Sequence, residues 1–299
     1  MPVAAVTPAF GRVALIGKLR SPEIAASLKA LREFLEKRGC DVVFEKDTAA
    51  GLGGRSADYD SIGKSADLAI VVGGDGTMLA AARNLVRYRV PLTGVNQGRL
   101  GFMTDIGHDD MQRGIGGILD GKYSIEERAL LDAEIVRGGQ SVLKTIALNE
   151  AVLGKGAQGR LIEFDLSIDG EFVYTLRADG VIVATPTGST AYALSAQGPI
   201  LHPAVPAFAL VPLNPHTLSA RPVSVSDRSN IAITLVRALD ARAHFDGFAL
   251  TDMAEGDRLL LKRSADAIRF IHPAGYRYFA TLREKLRWSE ALHTTRDPE

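Results

Sequence analysis

Residues 68–85 read LAIVVGGDGTMLAAARNL. The five apolar residues Leu68–Val72 suit a central parallel strand, which is covered on both faces and therefore shows no alternation. Gly73-Gly74-Asp75-Gly76 interrupts the run, and from Thr77 to about Tyr88 the apolar positions return at helical spacing. A strand, a glycine turn and a helix in that order predict an open α/β sheet that takes ligands at the carboxyl ends of its strands.

The flanking sequence extends this pattern. Arg12–Ile16 is a short apolar run, and Ser21-Pro22 opens a helix, with Ser21 as N-cap and Pro22 at the first helical position. Ile24, Leu28, Leu31 and Leu35 recur along that helix until Gly39 stops it. Asp41–Glu45 and Pro91–Asn96 read as further strands. Beyond Tyr123 the period changes to two. Ile162, Phe164, Leu166 and Ile168 share one face, Asp169-Gly170 is a two-residue hairpin turn, and Phe172, Tyr174 and Leu176 continue on the return strand. Lys144–Leu148, Asn230–Val236, Ala243–Phe245, Arg258–Lys262 and Ala267–Ile271 add short strands, and Asp246-Gly247 supplies another turn. Phe279, Leu282 and Leu286 mark a last helix, and the chain beyond Glu290 is expected to fray. The expected plan is an α/β domain with a parallel sheet over residues 1–122 and an all-β, sandwich-like domain over 123–274. A terminal segment, 275–299, then returns to the first domain.

The composition limits what such a chain does. Its 299 residues are 46% hydrophobic and 23% charged, with 35 basic against 35 acidic side chains. Net neutrality argues against non-specific binding to nucleic acid or to an anionic membrane. No apolar run approaches the roughly 20 residues that span a bilayer, and the first residues lack the basic-then-apolar start of a secretory signal. The single cysteine, Cys40, excludes an intrachain disulfide and fits a reducing cytoplasm; it is expected to be a structural thiol.

Four segments carry chemistry. In the glycine turn the backbone comes close enough to bond a phosphate, and the following helix N-terminus favours the same anion. The turn is neither a P-loop nor the dinucleotide fingerprint. Asp75 admits two readings there: a group that accepts a hydroxyl proton or holds a metal, or an Asx-turn or helix-cap residue. Asn96–Phe102 is a second polar turn, in which Asn96 orients a ligand or merely builds a loop. Asn149-Glu150 is suited to fork onto two ribose hydroxyls, and equally to end a strand. Thr185–Tyr192 (TPTGSTAY) holds more hydroxyls than one N-cap requires and suits a ribose or a purine edge, with Tyr192 available to stack on a base and Ser195 one turn further; the alternative is a cap packed on a core.

In this order, and with Asn214–Pro222 (NPHTLSARP) after them, these segments resemble the NAD kinase family over nearly the whole chain. The Gly-Gly-Asp-Gly turn is shared with diacylglycerol-type lipid kinases and phosphofructokinases, whereas Thr185–Tyr192 together with Asn149-Glu150 is specific to NAD kinases. The resemblance implies an ATP-dependent enzyme that phosphorylates the 2′-hydroxyl of the adenosine ribose of NAD. It also implies an α/β domain followed by a β-sandwich domain, NAD at their junction, and a homodimer or homotetramer. ATP would bring a divalent metal, Mg2+ or Mn2+, with no all-protein metal cage. By motif, Asp75 is the implied base with Gly76 beside it, and Asn149, Glu150, Asp179, Thr190, Ala191, Tyr192 and Ser195 are implied NAD contacts. Arg160 and Arg177 match basic positions of the Gram-negative type, where an arginine at the place of Arg177 goes with ATP rather than polyphosphate; the alternative is a pair of surface arginines. Phe248 departs from the polar residue that relatives tend to carry, and His216 is expected to order its loop. The rival readings are a lipid kinase, which would need an apolar acyl groove, and a dinucleotide sensor that keeps the pocket without the chemistry.

Overall fold

In a computed structural model, which describes residues 10–18, 22–98, 101–157 and 159–288, the chain parts into two units. One holds the chain up to Glu127 and from Ile268 on; the other holds Arg128–Ala267. Ser21, Arg99, Leu100 and the tail beyond Glu290 lie outside the described residues. Among the described residues no helix is long and apolar enough to cross a membrane.

The first unit runs β1 (Arg12–Gly17), α1 (Pro22–Lys37), β2 (Asp41–Glu45), α2 (Lys46–Ala49), β3 (Ser56–Ala57), α3 (Tyr59–Ser65), β4 (Leu68–Val72), α4 (Asp75–Leu85), β5 (Leu92–Val95) and α5 (Met111–Leu119). β6 (Tyr123–Arg137) passes from the first unit into the second at Arg128, and the second continues with β7 (Gln140–Ala147), β8 (Glu150–Lys155), β9 (Ile162–Ile168), β10 (Glu171–Ala178), β11 (Gly180–Ala184), the single-turn α6 (Tyr192–Ser195), β12 (Ala207–Leu213), β13 (Val223–Ser226), β14 (Ile231–Arg237), β15 (Ala241–Phe245) and β16 (Ala249–Met253). The long β17 (Arg258–Pro273) leads the chain back to the first unit, which ends in α7 (Tyr278–Leu286).

The sheet of the first unit has the order β3-β2-β1-β4-β5, with Phe270 of β17 beside Leu92 at the far edge, and every pair is parallel. β4 is wholly buried, as its unbroken apolar run requires. The direction of winding reverses between β1 and β4. Four short elements escape sequence reading. α2, β3 and α3 occupy a polar stretch too brief for periodicity, although the cap of α3 is a local signal: Asp58 accepts from the N–H of Ser61 at 2.8 Å. α5 contains Gly114, Gly116 and Gly117, which disfavour a helix; it forms because Met111, Ile115, Ile118 and Leu119 bury in one cluster with Leu28, Leu31 and Leu35 of α1. Cys40 is buried in that cluster, where burial pushes its thiol up against the opposing influence of Arg38, as a structural thiol should be.

The second unit is a sandwich. One antiparallel sheet has the order β10-β9-β14-β17 with the β6–β7 hairpin attached through β17, and the other has the order β13-β12-β11-β8-β15-β16. Phe164, Leu166, Ile233 and Leu259 of the first meet Leu153, Val183, Phe208 and Phe245 of the second in one core. Two expectations are corrected. Arg258–Lys262 and Ala267–Ile271 are not separate strands but parts of β17, which runs on through Ser264 and Ala265. Phe172 does not share the inward face of Tyr174 and Leu176: a register shift between Phe172 and Tyr174 leaves Phe172 59% exposed.

Phe164 is fully buried at the centre of this core. Replacing it with alanine should cost about 3–5 kcal/mol in urea unfolding; a loss below about 1 kcal/mol would contradict this account of the sandwich.

Candidate active site

α4 starts at Asp75, two residues earlier than the apolar spacing indicates, with Gly74 as an N-cap that has no side chain to offer. Gly73 has φ +154°, and a Cβ there would meet Thr77 Oγ1 at 2.9 Å, so this position needs glycine. Gly74 and Gly76 are exposed and face open space. Asp75 is therefore a first-turn residue, where helix polarity favours a negative charge. Its carboxylate neither caps its own helix nor forms an Asx turn. Oδ2 accepts from the N–H of Phe102 at 2.9 Å, and Oδ1 accepts from the N–H of Met103 at 3.0 Å and from the Thr104 hydroxyl at 3.5 Å. Gly101 lies so close that a Cβ would sit 2.1 Å from Asp75 Oδ1. Gly101, in the second polar turn, therefore leaves room for the Asp75 carboxylate. Asn96 is likewise spent on the loop: it is buried, its Nδ2 donates to Thr104 O and its Oδ1 accepts from the N–H of Gly98.

A cavity of about 260 Å³ opens at the carboxyl ends of β1 and β4, lined by Gly17, Lys18, Glu45, Asp47, Tyr59 and Thr77. It occupies the point where the winding reverses, the place at which open α/β sheets bind ligands. Burial, reinforced by Glu45 and Asp47, pushes the Tyr59 hydroxyl well up, so it stays protonated there. A larger cavity, about 790 Å³, lies in the second unit among Asp132, Lys144, Ser167, Arg258 and Lys262, and none of the predicted site residues lines it. Volume is therefore a poor guide to this site, and unsatisfied buried atoms are a better one.

Such atoms occur at the corner between β7 and β8. Sequence reading passed over the residue that builds it, Asp246. Its carboxylate accepts from three successive amides, those of Leu148 at 2.8 Å, Asn149 at 2.7 Å and Glu150 at 3.1 Å. The Asn149 carbonyl accepts from the N–H of Thr185 at 2.9 Å, and Gly188 packs so tightly that a Cβ would come within 2.0 Å of it. With the backbone fixed in this way, Asn149 Oδ1 and Glu150 Oε2 are buried without a hydrogen-bond partner among the described residues. Burial, and secondarily the charge of Asp246, pushes the Glu150 carboxyl up to about 7.

The hydroxyl-rich stretch is mostly consumed internally. Thr185 Oγ1 donates to Leu148 O and accepts from the N–H of Gly188. Ser189 Oγ donates to Pro186 O at 2.6 Å and accepts from the N–H of Leu201 at 2.9 Å, and Thr190 Oγ1 donates to Thr187 O at 3.0 Å. The buried Arg128, a second residue that sequence reading missed, donates to Thr187 Oγ1 at 3.2 Å. The segment is a 3-10 turn (Gly188–Thr190) followed by α6, not an extended helix. Ala193 packs on Val152, Ile182 and Val211, which leaves Tyr192 and Ser195 exposed. Asp179 accepts from Lys155 Nζ at 2.6 Å and Asn214 Nδ2 at 2.9 Å, and these partners, Asn214 first, hold its carboxyl below the ordinary range. His216 gives its N–H to Arg177 O at 2.9 Å, which orders the loop. Arg160, Arg177 and Phe248 are exposed, Arg177 lying 3.8 Å from Glu163.

Residues 13–123 match the ATP-NAD kinase N-terminal domain, and residues 148–273 match the ATP-NAD kinase C-terminal domain. The chain is 58% identical over 284 residues to an NAD kinase of Aromatoleum aromaticum, covering 94% of this chain and 95% of the relative. The chain belongs to the NAD kinase family. Its fold superimposes on yeast NADH kinase complexed with NADH (TM-score 0.87, 24% identity, 98% of this chain and 90% of that one). It also superimposes on an Archaeoglobus fulgidus NAD kinase in complex with ATP (TM-score 0.74, 25% identity, 91% and 99%). As an NAD kinase it transfers the γ-phosphoryl group of ATP to the 2′-hydroxyl of the adenosine ribose of NAD, which sets aside the lipid kinase and sensor readings.

The Glu150 environment predicts a pH signature for this NAD kinase. A carboxyl raised to about 7 in the folded chain, against about 4.3 unfolded, leaves stability intact at low pH and removes it as pH rises through the folded value. The melting temperature of the wild type should therefore fall relative to that of Glu150→Gln between about pH 4.3 and about 7.5, and run parallel above that. Parallel curves throughout would contradict the buried, ionisable assignment.

Proposed function

We propose that Asn149 and Glu150 hold the ribose diol of NAD and that Asp75 is the base for its 2′-hydroxyl. The observation that carries the ribose assignment is the pair of buried acceptors without partners on consecutive residues. Two acceptors want two donors, and vicinal hydroxyls supply them at that spacing. Leaving each oxygen unmatched costs about 1–3 kcal/mol, which a bound diol recovers. Asp179, Thr190, Ala191, Tyr192 and Ser195 extend the dinucleotide surface, with the exposed Tyr192 ring free to stack on a base and Ser195 and Asp179 offering polar groups. Arg160 and Arg177, both exposed cations, are assigned to the phosphates of ATP, and Gly76 to close backbone approach.

Phosphoryl transfer through a loose transition state asks mainly for alignment and charge neutralisation. A carboxylate is too weak a base to ionise an alcohol beforehand. Asp75 therefore holds the hydroxyl in line and takes its proton as the new P–O bond forms. The amides of Phe102 and Met103 fix the carboxylate while leaving further lone pairs on its oxygens. The uncapped start of α4 and the cavity at the β1–β4 reversal suit the phosphates of ATP. Among the described residues no three His, Cys, Asp or Glu side chains converge on a metal position. A divalent ion, Mg2+ or Mn2+, would come with ATP and would supply neutralisation of phosphate charge. We assign the enzyme to the cytoplasm, as a homodimer or homotetramer.

Incubation with ATP, Mg2+ and NAD, with NADP read by an NADP-specific dehydrogenase, tests the assignments. Asp75→Asn should keep NAD binding and lose about 10²–10⁴-fold in kcat; near-normal turnover would overturn its role as base. Asn149→Ala should chiefly raise KM for NAD, and an unchanged KM would remove the ribose contact.

A further inference from the structure

His272, near the end of β17, is 2% exposed, and its ring stacks on Tyr276 with centroids 3.9 Å apart and planes 7° from parallel. Each ring nitrogen meets a carboxylate: Nδ1 lies 2.8 Å from Asp105 Oδ2, and Nε2 lies 3.0 Å from Glu126 Oε2. Both nitrogens can donate at once only in the imidazolium form. A buried cation that joins three separate parts of the chain is expensive to build, and no residue assigned to substrate is among them. A lone anchor for β17 would need only one partner.

Asp105 supplies the connection. It follows Thr104, and residues 102–104 provide the donors that hold the Asp75 carboxylate. Backbone bonds tie the next residue to β5: Ile106 N–H donates to Gly94 O at 3.1 Å, and Asn96 N–H donates to Ile106 O at 2.9 Å. The Asp105 side chain, 7% exposed, points instead to His272. The segment is thus gripped on one side by β5 and on the other by the imidazolium, with the Asp75 clamp immediately before the grip.

We infer that His272, charged and held between Asp105 and Glu126, is a positioning residue that sets the 102–104 segment and, through it, the aim of the Asp75 carboxylate. The inference rests on the reading of Asp75 as the base. The groups that face the ring are Asp105 after β5, Glu126 on β6 and Tyr276 after β17. Burial works against the charge, but the hydrogen bonds to Asp105 and Glu126 and their fields outweigh it and raise the ring above its ordinary range. The protonated form prevails below that raised value and is lost above it, so turnover should carry an alkaline limb that belongs to His272.

Two amide substitutions separate the ring nitrogens. In His272→Asn the amide nitrogen takes the place of Nδ1 and can still donate to Asp105, whereas in His272→Gln it takes the place of Nε2 and reaches Glu126 alone. On the full chain, with kcat and KM for NAD measured across pH, His272→Gln should lose on the order of 10²-fold in kcat with KM unchanged. His272→Asn should recover most of that loss, and neither variant should keep the alkaline limb. Asp105→Asn preserves shape and removes one charge, so it should move the limb to lower pH in an otherwise wild-type enzyme; this settles the matter if both His272 variants fail to fold. Equal kcat in the Asn and Gln variants, a limb that persists in both, or a limb unmoved in Asp105→Asn would overturn the inference. Asp75→Asn measured alongside separates the two claims. If it retains turnover, the reading of Asp75 has failed; if it is inactive while the His272 variants behave as wild type, only the positioning role has failed.

Discussion

The bonds between the Asp75 carboxylate and the amides of Phe102 and Met103 organise the carboxyl edge of the first unit's sheet. They join the first turn of α4 to the segment after β5. Gly101 must then lack a side chain, because a Cβ would collide with the carboxylate. Gly94 must lack one too, since a Cβ there would press on Met78, on Thr104 and on the Met103 carbonyl. The N–H dipoles and the start of α4 offset the charge of the Asp75 carboxylate.

The second unit repeats the device with a different outcome. Asp246 also spends its carboxylate on backbone amides, those of residues 148–150, but it is the scaffold and not the working group. It fixes the corner at which Asn149 Oδ1 and Glu150 Oε2 are buried without a partner among the described residues. In one case the clamped carboxylate is the group proposed as the base, and in the other the clamp fixes the backbone of its neighbours. Both place the local imperfection of the fold where a ligand can remove it, as binding sites commonly do. The His272 cluster extends the first device by one further link, from the terminal strand to the loop that holds the Asp75 carboxylate.

What the sequence discloses depends on range. β4, α1 and the β9–β10 hairpin follow from periodicity and turn chemistry within a few residues, and they are found where those signals place them. Asn149, Glu150 and Asp75 are recognisable as polar residues at strand ends. Their partners are not, because Asp246 lies 97 residues from Asn149 and in sequence is only the first half of a hairpin turn. His272 and Asp105 stand 167 residues apart with no local mark on either. The roles of the Thr185 and Ser189 hydroxyls are equally hidden, because nothing local shows that packing turns them inward to bond the backbone. α5 shows packing prevailing over propensity, since its glycines discourage a helix that four buried apolar residues nevertheless impose.

The central claim is that the clamped carboxylate of Asp75 faces the hydroxyl that receives the phosphoryl group. A crystal structure of the full chain with NAD bound measures this directly. The account predicts an Asp75 oxygen about 2.6–3.2 Å from the 2′-oxygen of the adenosine ribose, with its bonds to Phe102 and Met103 intact. A ribose whose hydroxyls lie beyond reach of Asp75, even through one water, would contradict it.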